Sequence, residues 1–296
     1  MVWLKRIGLF FLVNLLIMVT VSIVWNIIGV YFHVQGYVPY IIVFSTVAGF
    51  GGALFSLFTS KWMAKMLYGV KIIDPNTSDA NLRALVEKVH SLARAARLPG
   101  LPEVGIYQSP DVNAFATGPT KNSALVAVSS GLLAAMNDAE VEGVLGHEIT
   151  HIANGDMVTM TLIQGVVNTF SLLFSRLLAN VIANQVDERM SRLVYFVCTI
   201  LGDILFTMLG SILVAYFSRR REFRADRGGA QLASRENMVS ALRKLQMVYG
   251  RMPTAGEQKD NLATLKISYR DREGITSLFM THPPLEVRIR ALETGR

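Results

Sequence analysis

His147-Glu148-Ile149-Thr150-His151 decides how the rest of this chain is read. Residues four apart on an α-helix stand one above the other on the same face, so both imidazoles can reach a single ion. Zinc accepts imidazole nitrogen at about 2.0–2.1 Å in a tetrahedral site. Glu148, beside the first ligand, then faces the open position as general base toward an attacking water. Two surface histidines could carry the same five letters, so context matters. The flanking sequence predicts a helix beginning at Asn137, with Asn137 as cap and Glu140 completing a capping box. Val141, Val144, Leu145 and Ile152 give that helix an apolar side, and Asn154-Gly155 ends it.

A catalytic zinc takes three protein ligands and keeps a fourth position open. The remaining histidines are His33, His90 and His282. His90 lies next to the apolar stripe Leu82, Leu85, Val86, Val89, Leu92, Ala93 of a helix predicted over Ala80 to Leu98, and reads as a surface or half-buried side chain. Glu222 is the better candidate. In Glu222-Phe223-Arg224-Ala225-Asp226 the two carboxylates are again four apart and share a face. Glu222 would bind the metal while Asp226 accepts the N–H of a ligand imidazole, with His147 favoured as that partner. On residue types alone, a simple pairing of both acids with neighbouring arginines stays equally open.

Working outward, the composition is that of a membrane protein with a polar part. Hydrophobic residues make up 51% of the chain and charged residues only 17%, against roughly 25% charged in soluble domains. The mean hydropathy is +0.38. Many of the basic residues behind the net charge of +7 lie beside apolar segments, which points to membrane orientation rather than nucleic acid. The lone Cys198 excludes an intramolecular disulfide. Four apolar runs stand out: Ile7 to Phe32, Tyr37 to Phe58, Met157 to Ala183 and Leu193 to Phe217. The first is too long for a signal-peptide core, despite Lys5 and Arg6 before it, and reads as a retained anchor. Lys61, Lys65 and Lys71 follow the second run, Ser218-Arg219-Arg220-Arg221 follows the fourth, and the turn at Gln35-Gly36 is uncharged. The positive-inside rule then places both termini and the polar mass in the cytoplasm, although Arg189 and Arg192 blur the second hairpin. Gln164, Asn168, Ser171 and Arg176 interrupt the third run, and Asp203 interrupts the fourth. Such groups must pair, face protein or line a wet cavity; an Arg176–Asp203 pair requires that their depths match.

Between the hairpins the pattern is α+β, with strands predicted at Glu103–Tyr107, Ala114–Thr117 and Ala124–Ser129. After the fourth run come a helix over Glu222 to Tyr249, a polar loop, and a closing helix from Pro284 to Leu292. The expected organisation is a first transmembrane hairpin in 1–66, the first part of a catalytic domain in 67–156, a second hairpin in 157–217, and the rest of the catalytic domain in 218–296.

The motifs resemble the HtpX branch of the membrane zinc peptidases of family M48, which also includes the CAAX prenyl proteases. The resemblance rests on His147 to His151 with Asn154-Gly155-Asp156, and on Ser218 to Asp226. Asn113-Ala114-Phe115-Ala116-Thr117-Gly118 and Thr281-His282-Pro283-Pro284-Leu285-Glu286 match as well, so it covers essentially the whole chain. It implies a polytopic membrane protein of about four transmembrane helices carrying a zincin-like (gluzincin) α+β catalytic domain. It implies one Zn(2+) per chain on His147, His151 and Glu222, with Glu148 as base and Asp226 behind the ligands. It further implies a bacterial cytoplasmic-membrane endopeptidase linked to heat shock, acting on misfolded or damaged membrane proteins alongside other quality-control proteases. Asn113 to Thr117 is expected to be an edge strand for substrate, with Asn113 a candidate substrate contact. His282 is a candidate for oxyanion stabilisation or gating, or else simply starts the last helix. Three rivals are weighed: a scaffold with structural zinc, which has no use for Glu148; a zinc transporter, which would put the histidines in a span; and a CAAX-type processing enzyme, which would have more spans.

Overall fold

The computed structural model describes residues 38–250 and 278–295. Their elements run α1 (Val38–Tyr68), β1 (Lys71–Ile72), α2 (Ala80–Ala95), β2 (Glu103–Tyr107), β3 (Ala114–Thr120), β4 (Ser123–Ser129) and α3 (Ser130–Ala135), followed by α4 (Asp138–Asn154), α5 (Asp156–Ala183), α6 (Glu188–Leu232), α7 (Arg235–Gly250) and α8 (Leu285–Thr294). They fall into two units. Among the described residues, one takes 38–55 and 161–214, the other 56–160, 215–250 and 278–295.

The second unit is built on a four-stranded sheet of order β1-β2-β4-β3, in which β2 and β4 are parallel and the other pairs antiparallel. Side chains alternate across a strand, and β4 is apolar on both faces. Ala124, Val126 and Val128 join a core with Leu85 and Val89 of α2, Leu145 and Ile149 of α4, Leu242 of α7 and Leu285 of α8. Leu125 and Ala127 point the other way, into a smaller cluster with Ala64, Val70, Tyr107 and Phe115. A fully buried aliphatic side chain of this size stabilises by about 1.5–3 kcal/mol, so β4 anchors both layers. β3 is an edge strand, and its register shifts between Thr117 and Thr120. Gly118 at φ 143° occupies that irregularity, in a conformation open to residues without a Cβ.

α4 begins with the capping box: Glu140 N donates to Asn137 Oδ1 at 2.9 Å and Asn137 N donates to Glu140 Oε2 at 3.0 Å. It ends at Gly155, whose φ of 69° lets the chain turn directly into α5 at Asp156.

One expectation is corrected. The fourth apolar run and the Glu222 helix are not separate elements: α6 continues unbroken through both for 45 residues, and the break falls at Ala233-Ser234. Ser218-Arg219-Arg220-Arg221 changes the polarity of the chain but contains no glycine or proline, and arginine is a good helix former. Charge marks an edge of the apolar run without stopping the helix.

In the first unit α1, α5 and α6 are long and apolar enough to cross a membrane. Ile7 to Phe32, the remaining expected span, lies outside the described residues. Arg176 and Asp203 do meet: Nη1 lies 3.2 Å from Oδ1. Ser175 Oγ donates to the same oxygen, Arg176 also donates to Leu172 O at 3.0 Å, and its guanidinium stands 5.1 Å from the Phe44 ring centre. Gln164 Nε2 donates to Asn168 Oδ1 at 2.8 Å. Arg176 with Asp203, and Gln164 with Asn168, are thus paired, as strongly polar groups in an apolar helix require.

Candidate metal centre

The site arises where α4 and α6 pass at backbone distance within the second unit. A Cβ on Gly229 would meet His147 N at 2.9 Å, and one on Gly228 would meet Thr150 Cγ2 at 2.3 Å. Glycine there lets the two backbones approach closely. Glu222, about two turns earlier on α6, consequently faces both histidines of α4.

The four-residue spacing delivers what it promised geometrically. His147 Nε2 and His151 Nε2 are 3.0 Å apart, and lie 3.5 and 3.3 Å from Glu222 Oε2 and Oε1. One ligand atom from each of the three falls within 4.8 Å of the others, and all three residues are buried. Behind them, His147 Nδ1 lies 2.9 Å from Asp226 Oδ1, and His151 Nδ1 lies 2.7 Å from Asp156 Oδ2. A carboxylate at each Nδ1 holds the proton there and leaves both Nε2 lone pairs facing Glu222. Arg288 of α8 clamps Asp226 in turn, Nε donating to Oδ2 at 2.8 Å and Nη2 to Oδ1 at 2.6 Å. His282 Nδ1 is 2.8 Å from Glu222 Oε2. Glu148 is buried beside His147.

The charges here call for a cation. Glu148, Asp156, Glu222 and Asp226 are all buried, while Arg288 is the one buried guanidinium or ammonium among the described residues. Neither Glu222 carboxylate oxygen makes a well-aligned hydrogen bond. Isolated charges are not left in protein interiors uncompensated. Two converging imidazole nitrogens, an under-bonded carboxylate and surplus negative charge therefore fit a divalent metal. The same surplus acts on the titrating groups. Burial opposes a charged His147, but Asp226 and Glu222 outweigh it and raise its pKa to about 9. For His151 burial is likewise outweighed, chiefly by Asp156 and then Glu222. Burial would raise the Glu222 carboxyl, yet the close approach of His282, His147 and His151 to its oxygens holds it well below the usual carboxylate range.

Two residues of this arrangement have no role that the sequence analysis assigns. Asp156 belongs to the Asn154-Gly155-Asp156 motif, whose spacing names no partner for it. Arg288 had a readable signal: it lies between Leu285, Ile289 and Leu292, on the buried side of the closing helix, where a charge needs a reason. Asn113 is buried at the start of β3, its Nδ2 donating to Tyr107 Oη at 3.0 Å and its N–H to Ser129 Oγ at 3.1 Å. His90 Nε2 lies 3.1 Å from Pro102 O, away from the cluster in a part-buried setting.

The model of peptidase family M48 matches residues 79–295. The chain belongs to this family. Over 98% of its length it is 49% identical to a protease HtpX homolog of Bacillus licheniformis, covering 99% of that relative. It is 47% identical to protease HtpX of Thioalkalivibrio sulfidiphilus, with 98% of each chain covered. The crystal structure of S. mikatae Ste24p aligns with 93% of the chain at a TM-score of 0.57 and 19% identity. The chain spans 62% of that protein, and at 19% identity the likeness is one of fold. With M48 membership, HtpX relatives and apolar helices of spanning length, the protein is a membrane metalloprotease.

Proposed function

We propose that this M48 peptidase is a zinc-dependent endopeptidase of the bacterial cytoplasmic membrane that cleaves misfolded or damaged membrane proteins. The observation that carries the reading is the convergence of His147 Nε2, His151 Nε2 and Glu222 on one point, each imidazole backed by its own carboxylate. Two imidazoles and one carboxylate form a three-ligand set that suits zinc and leaves a position open. When bound, the metal supplies Lewis-acid polarisation of the scissile carbonyl and of the attacking water.

The chain's own groups do the rest. Glu148 accepts the water proton at a carboxylate oxygen and returns it to the leaving amine. Asp226 and Asp156 keep the imidazoles in the tautomer whose Nε2 lone pairs face inward. Arg288 fixes Asp226. The edge strand β3 accepts an extended substrate through main-chain hydrogen bonds, with Asn113 at its start. His282, reaching over Glu222, donates to the developing oxyanion. Lys61, Lys65, Lys71 and Ser218 to Arg221 support an orientation with this unit and both termini in the cytoplasm. Substrates are then membrane proteins with exposed cytoplasmic segments, handled alongside other quality-control proteases and without nucleic acid.

The test compares wild type with Glu148→Gln, both purified in detergent, stripped by chelator and resupplied with zinc. Zinc content and cleavage of casein are measured together. Both proteins are expected to hold about one zinc, and only wild type to cleave. A zinc-loaded Glu148→Gln protein with full activity would remove Glu148 from its role. A zinc-loaded wild type inert on soluble and membrane substrates alike would favour a scaffold.

A further inference from the structure

The basic cluster after the apolar part of α6 looks like a uniform topology signal, yet its three arginines have three different partners. Arg220 stacks on Tyr216, its guanidinium carbon 5.2 Å from the ring centre. Arg221 Nε lies 3.5 Å from Glu222 Oε1. Arg219 does something else: its Nη1 donates to the backbone carbonyls of Met280 at 2.6 Å and Leu278 at 3.1 Å. Those carbonyls belong to the segment that leads, two residues later, into His282.

Arg219, Glu222 and Asp226 are spaced three and four apart, so they form one stripe on α6. The C-terminal segment is fastened to that stripe rung by rung. Met280 and Leu278 meet Arg219, His282 meets Glu222 at 2.8 Å, and Arg288 meets Asp226 at 2.6 Å. The last rung fixes α8, but Arg288 lies beyond Pro283-Pro284 and cannot by itself set the approach of His282. The upstream end of the segment is held by Arg219. A guanidinium suits this task, because it stays charged and donates in a fixed plane to two acceptors at once.

We propose that Arg219 is a positioning residue for peptide hydrolysis: by clamping the carbonyls of Leu278 and Met280 to α6, it sets His282 over Glu222. The inference rests on the function proposed above and adds to it a residue that touches neither metal nor substrate. Displacing a group near the reacting atoms by about 1 Å can lower turnover by up to about a hundredfold.

The experiment uses the full-length protein in detergent and reads two quantities. The first is hydrogen–deuterium exchange of peptides covering 278–282 and of peptides within α4, in wild type, Arg219→Gln, Arg219→Lys and Arg220→Gln. The second is kcat and KM on an unfolded polypeptide for the same proteins at matched zinc content, together with His282→Ala and the double variant Arg219→Gln/His282→Ala. Arg219→Gln should raise exchange across 278–282 at least about tenfold and leave α4 protected. It should lower kcat by about ten- to a hundredfold with KM within about twofold of wild type. Because Arg219 acts through His282, Arg219→Gln should cost little more once His282 is already alanine. Arg219→Lys keeps the charge but loses the planar fork, and should fall between Arg219→Gln and wild type on both readouts. Arg220→Gln removes the same charge from the same end of the apolar run and should behave as wild type.

Unchanged exchange at 278–282, losses that multiply in the double variant, or an Arg220→Gln defect equal to that of Arg219→Gln would each overturn the proposal. Should Arg219→Gln fail to fold, Arg219→Lys carries the same comparison. If wild type cleaves nothing, the proposed function fails, while the exchange measurement still decides whether the clamp exists.

Discussion

Arg288→Met tests whether the centre is held together from the C-terminal helix. Arg288 and Asp226 are each 1% exposed and share two hydrogen bonds, of 2.8 and 2.6 Å. Burial pushes the Asp226 carboxyl up, but the charge and hydrogen bonds of Arg288, helped by His147, keep it below its ordinary value. Removing the guanidinium reverses that balance and strands a carboxylate in the core with His147 Nδ1 as its remaining neighbour at 2.9 Å. Breaking a buried pair from one side costs about 3–5 kcal/mol. At roughly 2–4 °C per kcal/mol for a chain of this size, the apparent Tm should fall by about 6–20 °C. The assay is thermal unfolding of the zinc-free protein in detergent, so that metal affinity does not enter. Arg288→Met/Asp226→Asn leaves neither charge behind and should recover at least about half of the loss. Its turnover should stay low, because an amide orients His147 less firmly than a carboxylate. A loss below about 1 kcal/mol, the range of an exposed ion pair, would refute the reasoning, as would a double variant no more stable than Arg288→Met.

Asp156→Asn should weaken zinc binding by about 10- to 100-fold, the usual effect of removing a carboxylate behind a ligand imidazole; competition with a chromogenic chelator measures it. Gly229→Val places new carbon where a Cβ already meets His147 N at 2.9 Å. It should cost at least about 1–3 kcal/mol as overpacking and lower zinc occupancy, read by metal analysis after dialysis, because α4 and α6 must separate. Glu103 pairs with Lys61 at 2.7 Å and Lys65 at 2.8 Å, and although burial opposes it these cations hold its carboxyl below 4.5. A depressed carboxyl stabilises the fold above its unfolded value and stops doing so as pH falls through its folded value. Glu103→Gln should therefore unfold at a lower temperature than wild type at pH 7, and the gap should close as the pH falls below 4.5.

Much of the centre is legible in the amino-acid sequence. His147 and His151 follow from helical spacing, and the helix that carries them follows from the Asn137–Glu140 box and the Gly155 stop. Strands β2 and β4 stand where β-branched and apolar runs lie between turn residues. β3 runs on to Thr120, beyond the predicted Thr117, because Gly118 accepts a backbone geometry that looks like a terminator in sequence. The continuity of α6 is hidden in the sequence for a related reason: the Ser218–Arg221 cluster ends an apolar run, and polarity is a weaker guide to helix ends than backbone chemistry. Arg176 and Asp203, each awkward when considered singly, explain each other once their helices lie side by side.

The amino-acid sequence alone determined the local part of this protein: which segments are apolar enough for a membrane, which helix carries the two imidazoles, and which residue types stand ready as base and ligands. Those properties depend on neighbours within a few residues, through helical periodicity, capping and hydropathy. Only the tertiary structure decided that Asp156 serves His151, that Arg288 closes on Asp226 from behind, and that Arg219 grips the chain leading to His282. Each of these joins residues whose distance in space is set by how closely α4, α6 and α8 pack. That closeness depends on Gly146, Gly228 and Gly229 meeting across an interface, which no periodicity within one segment encodes.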